Sequence, residues 1–170
     1  SAIRANLGAP WIDPTDIQEF IRDLVPQGHS IHVDYVPELG LWRLSSRGGG
    51  SDAGAKRLFR DAKNSVAATA TWGTSRKGFF EILEKFILNG SAQGLSVFDR
   101  VPGTKDDKIL NTKETEAAQA KLEAIKEKFS KWLWEDDGRL TKYVRKYNDI
   151  YNGTRERKYD GSHLTFPGKV

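Results

Sequence analysis

The residues of this chain best suited to do chemistry are its cations. Lys142, Arg145 and Lys146 step along a helical pattern, off the apolar stripe of Leu140, Tyr143 and Tyr147. Arg139 precedes them, and Arg155, Arg157 and Lys158 carry the charge further. From Arg139 to the end, eight Lys/Arg stand against three acids. A second zone, Arg43 to Lys77, holds eight against two, and Arg43, Arg47, Arg76 and Lys77 are its candidate contacts, with Trp72 beside them. The whole chain carries only +4, so the rest of it is net acidic. Two basic zones on an acidic background suit a polyanion: cationic side chains contact phosphates and give affinity without sequence choice. The same runs also suit a solvated face, and the tryptophans suit a core as well as a base stack.

Other chemistry finds little support. Gly49-Gly50-Ser51-Asp52-Ala53-Gly54-Ala55-Lys56 approaches a phosphate-binding loop, but that loop needs Gly-Lys followed by Ser or Thr. Ala55 and Arg57 break the match, and a flexible linker is the reading. His29 and His32 lie three apart, on opposite faces of a strand, which is wrong for shared metal ligation. His163 stands alone and reads first as a surface or hydrogen-bonded histidine, although a loop histidine can also contact phosphate or act at a domain interface. No carboxylate pair has a spacing specific to acid/base catalysis, and there is no cysteine for a nucleophile, disulfide or thiolate site. We therefore expect no catalytic residue, no metal site and no cofactor.

The elements that must position these cations follow from periodicity. A length of 170 residues, 38% of them hydrophobic, allows one well-packed domain. Asp13-Pro14 opens a helix whose buried face is Ile17, Phe20, Ile21 and Leu24. Ile31, Val33 and Tyr35 alternate as a strand, and Leu41 to Ser45 returns antiparallel to it. A short helix puts Leu58, Phe59 and Ala62 inward. Val66 to Trp72, small and β-branched, reads as a third strand, and Leu95 to Asp99 as the last. Between them Thr74 or Ser75 caps a helix with Phe79, Leu83, Phe86 and Ile87 on one stripe, ended by Asn89-Gly90. Val101 to Leu110 reads as a polar loop. A long helix then places Ala118, Leu122, Ile125, Phe129, Trp132 and Leu133 on one face, and a second helix follows the short Asp136-Asp137-Gly138 link. The expected class is α+β: a small, mainly antiparallel sheet packed by several helices, with a C-terminal helix pair and an extended tail. Residues 1–158 would form the domain and 159–170 a connector. No run is apolar enough to cross a bilayer and no signal peptide is visible, so the expected compartment is cytoplasmic. Without a methionine even at position 1, the sequence reads as a segment of a longer polypeptide.

Three stretches together carry a resemblance. They are Leu7-Gly8-Ala9-Pro10-Trp11-Ile12, the middle run Trp72-Gly73-Thr74-Ser75-Arg76, and a C-terminal set. That set comprises Asn111-x-x-Glu114-Thr115, the Lys121–Trp132 helix, Tyr147-Asn148-x-x-Tyr151-Asn152 and Tyr159-Asp160-Gly161-Ser162-His163-Leu164-Thr165-Phe166-Pro167-Gly168. The chain resembles the segment between an adenine-N6 DNA methyltransferase-like region and a DEAD/DEAH-type helicase motor. Such fusion proteins belong to phages, conjugative plasmids and other mobile elements, some of them linked to defence against restriction. The resemblance implies that Tyr159, His163, Leu164 and Phe166 form an interface with a following motor domain. Neither the methyltransferase's Asn/Asp-Pro-Pro-aromatic loop nor a helicase ATP motif occurs, so neither activity is expected of these residues.

The expectation is a non-catalytic accessory module that contacts DNA backbone, without sequence specificity, and positions neighbouring domains of its own polypeptide. A purely structural or protein-interaction domain is the alternative; a nuclease or hydrolase is a remote one. No membrane partner is expected.

Overall fold

The computed structural model describes residues 6–48, 51–91 and 93–163, with side chains as far as Asn152. Its first helix, α1 (Pro14–Leu24), begins where Asp13 leaves extended backbone and Pro14 enters the first turn. Ile17, Phe20, Ile21 and Leu24 are buried, as their spacing requires. A 3-10 turn, Pro26–Ser30, leads into the hairpin of β1 (Ile31–Val36) and β2 (Leu41–Ser46), which pair antiparallel from Ile31↔Ser46 to Val36↔Leu41.

A two-stranded sheet leaves two open edges, and helix side chains close both. On β1 the Val33 N–H donates to Gln18 Oε1 of α1 at 2.9 Å. On β2 the Leu44 N–H donates to Glu84 Oε2 at 2.6 Å. The Asn89 amide answers Trp42 in both directions, accepting from its N–H at 2.7 Å and donating to its carbonyl at 2.9 Å.

Helix α2 (Ala53–Lys63) is capped by Asp52, whose carboxylate accepts from the Ala55 N–H. It buries Phe59 and Ala62, while Leu58 is exposed. The stretch expected as a third strand is instead a π-helical turn, Ala67–Thr71. Its small residues continue the helical path after Ser65, whose hydroxyl accepts from the Ala68 N–H and whose carbonyl accepts from the Thr69 hydroxyl. Such local bonds and the burial of Ala68 outweigh the weak strand propensity of so small-sided a run.

The next helix starts later than Thr74. That residue closes a turn with Lys77, and α3 (Phe79–Glu81) begins after Gly78 and widens into π-helical Ile82–Leu88. Gly73 lies under this turn; a Cβ there would stand 2.3 Å from the Ala68 carbonyl oxygen and 2.6 Å from the Phe79 nitrogen. Only glycine admits that approach.

The sheet is smaller and more divided than a single unit. A second ribbon pairs β3 (Phe98–Arg100) with β4 (Lys108–Leu110), the latter inside the stretch read as loop. Helix α4 (Thr112–Glu135) follows, capped by Asn111, and α5 (Asp137–His163) turns back after the single residue Asp136. Phe129 and Trp132 of α4 meet Phe20 of α1 edge-on at 5.1 and 5.5 Å, and Trp132 donates to Asp23 at 2.5 Å. These contacts join α1 and α4 to the main core, which also takes in Ile31, Val33, Phe79, Ile82 and Leu83. The expected α+β class and its C-terminal helix pair are present. Helical backbone continues through Tyr159 to His163, however, so the first part of the expected extended tail belongs to α5. Leu164 and Phe166 lie outside the described residues. Among the described residues no helix is long and apolar enough to cross a membrane.

Candidate nucleic-acid interface

The cations that sequence singled out divide into those turned to internal work and those left facing solvent. On α5, Lys142 and Lys146 reach back to the start of α1. Lys142 donates to Asp13 at 2.9 Å and to Asp16; Lys146 donates to Asp13 at 2.7 Å and to the Trp11 carbonyl at 3.1 Å. Between them Tyr143, fully buried, donates its hydroxyl to Asp16 and accepts from the Asp13 N–H. Two carboxylates, two ammonium groups and one phenol therefore fasten α5 onto α1.

The electrostatics follow from burial and partners. Burial alone would raise the Asp13 carboxyl, but hydrogen bonds from Lys146 and Lys142 and their charges prevail and hold it below its ordinary value. Burial would likewise lower the Lys142 ammonium, and the bonds to Asp16 and Asp13 raise it instead. For Tyr143, burial and the bond to Asp16 act together and push the phenol far up.

Arg139 is also engaged. Its guanidinium lies 3.6 Å from the Trp132 ring centroid and donates to the Trp132 carbonyl at 2.8 Å. Of the described α5 cations, Arg145 alone is exposed; Arg155, Arg157 and Lys158 lie beyond the side chains described, as do Tyr159 and His163. A spacing pattern could not reveal this, because a lysine off the apolar stripe looks solvated until a partner helix is placed against it.

The second basic zone is also divided. Arg43 and Arg47 are exposed, on β2 and just past its end, with Arg43 opposite Asp34 in the ladder. Trp72 is half-buried and packs against the core. Arg76 and Lys77, by contrast, line a cleft of about 320 Å³ together with Ser96, Val97, Phe98, Arg100 and Lys108. Neither Arg100 nor Lys108 stands out in the sequence: Lys108 lies in the stretch that reads as a polar loop, and Arg100 falls just past the expected strand end at Asp99. Pairing in register brings them directly opposite each other.

This cleft has a firm frame. Arg76 donates to the Asp99 carboxylate at 2.7 Å and to the Phe98 carbonyl at 2.9 Å. The Asn111 amide also donates to Asp99, at 2.9 Å. Hydrogen bonds from Arg76 and Asn111 hold the Asp99 carboxyl below its ordinary value. Thr115 of α4 accepts from the Val97 N–H at 2.8 Å. Among the described residues, no group of three or more His, Asp or Glu could hold a metal ion.

The motifs behind the resemblance acquire structural roles. Gly8, at φ +93°, gives its carbonyl to the Trp42 indole N–H, and Trp11 packs edge-on to Tyr143. Gly73 permits a close backbone crossing, Arg76 ties down β3, and Asn111 and Thr115 anchor the ribbon to α4. In comparison with known proteins, a family model described as a domain of unknown function (DUF8437) matches residues 6–153. No curated protein and no solved structure matches the chain.

Proposed function

Since the chain belongs to the DUF8437 family, whose description assigns no activity, we propose its role from geometry: a non-catalytic accessory module that contacts nucleic-acid backbone at the β3–β4 ribbon. One observation carries this. The cleft is lined by Arg76, Lys77, Arg100 and Lys108, and no acid is among its lining residues. Like charges set directly across a ladder, as Arg100 and Lys108 are, destabilise it, and a phosphate between them reverses the sign of that interaction. Arg76 is partly committed to Asp99, and Lys77 to Glu81 at 3.2 Å, so both supply framework as well as charge. Arg43, Arg47 and Arg145 are exposed and add to the field that draws a polyanion in.

In this reading the DNA contact serves neighbouring methyltransferase-like and helicase domains of the same polypeptide, acting in the cytoplasm, with the module setting their geometry. The resemblance of its motifs to the segment between such domains supports that placement.

The test is fluorescence-anisotropy titration with labelled DNA at rising salt. Arg100→Glu with Lys108→Glu should weaken binding at least tenfold and flatten the salt dependence, since each lost phosphate contact lowers the slope of log K against log salt by about 0.7–0.9. Unchanged affinity in that double variant, or no binding by the parent at low salt, refutes the proposal.

A second reading, a protein-interaction domain, draws on α5, whose apolar stripe runs on into Ile150 and Tyr151, 52% and 50% exposed. Under it the same double variant has no phenotype, and substitutions at Ile150 do.

A further inference from the structure

Phosphate contacts alone do not separate a duplex from a single strand, but the ribbon carries one more group. Alternation along the paired strands puts Phe98 and Arg100 of β3, with Leu110 and Lys108 of β4, on one face, and Asp99 and Ile109 on the other. Phe98 is 50% exposed, so an aromatic ring stands in solvent on the face that bears the two opposed cations. Two strand steps, about 7 Å, separate it from Arg100. Its backbone is fixed, because Arg76 holds the Phe98 carbonyl and the neighbouring Asp99, while Thr115 and Asn111 hold Val97 on the other side. Among the described residues the other exposed large aromatic, Tyr151, is stacked on Tyr147 at 6.3 Å. Trp72, the sequence candidate for stacking, is packed against the core.

Resting on the cleft reading above, we propose that the β3–β4 ribbon is a platform for single-stranded nucleic acid, on which the Phe98 ring stacks an unpaired base while Arg100 and Lys108 hold the adjoining phosphate. A base in a duplex is stacked on both faces and offers the ring nothing; an unpaired base offers a face whatever its identity. The site therefore selects strandedness and not sequence.

The experiment compares three ligands of matched length at one low salt concentration: an oligothymidine strand, a duplex, and a strand of abasic sites. The parent should bind oligothymidine tightest. Phe98→Ala should lower that affinity about tenfold, the order expected for losing one base–aromatic stack, and leave duplex and abasic binding unchanged. Phe98→Leu keeps apolar cover over Leu110 but has no ring, so it should lose as much as the alanine variant, whereas Phe98→Tyr should retain affinity. Equal binding of duplex and oligothymidine by the parent, or parent-like oligothymidine binding by Phe98→Leu, overturns this inference and leaves the cleft reading standing. Absence of binding to all three ligands overturns both.

Discussion

Replacing Asp16 by alanine would test the fastening of α5 onto α1 directly. Asp16 is 6% exposed and accepts from Tyr143 and Lys142. Its loss strands the Tyr143 hydroxyl, since Tyr143 is fully buried and its other bond uses the oxygen as acceptor, not the proton. An orphaned buried donor costs about 1–3 kcal/mol. The lost ion pair adds at most about 1 kcal/mol, because Lys142 is a third exposed, keeps Asp13 and is rehydrated. The sum is about 1–4 kcal/mol, or on the order of 5–10 °C in melting temperature for a domain of this size. Urea unfolding followed by circular dichroism reads it. Tyr143→Phe should cost less, about 1 kcal/mol, because Asp16 keeps Lys142. Decisively, Asp16→Ala with Tyr143→Phe should be less destabilised than the two singles summed, since no buried donor is then orphaned. A single variant within about 0.5 kcal/mol of the parent, a change typical of surface sites, would refute the reasoning. So would strict additivity in the double variant.

Further outcomes follow from the same contacts. Because the Asp13 carboxyl is lowered in the folded state, its contribution is present above its unfolded value of 3.8 and is lost as pH falls through the folded one. Asp13→Asn should thus be less stable than the parent at pH 7, and the gap should close well below pH 3.8 in acid denaturation monitored by circular dichroism. Gly73→Ala should destabilise by about 1–3 kcal/mol through overpacking against Ala68 and Phe79, and a parent-like urea midpoint would contradict the close approach.

What the sequence by itself determined was whatever depends on near neighbours in the chain. The faces of α1 and α4, the β1–β2 hairpin, the α1 start at Asp13-Pro14 and the stop at Asn89-Gly90 were all legible, because periodicity, caps and glycine turns are local. Among the local readings that failed, Ala67–Thr71 stayed helical through local bonds to Ser65, and Lys108–Leu110 became a strand because β3 lay ready to pair with it. Tertiary structure alone decided the fate of the cations. Lys142 and Lys146 looked solvated until α1 brought Asp13 and Asp16 more than 120 residues away in sequence against them. Arg100 and Lys108, eight residues apart and unremarkable in the sequence, became an opposed pair by strand register and joined Arg76 and Lys77 by packing. Charge can be counted along a chain, but whether a charge is neutralised or gathered depends on distances that only the folded chain sets.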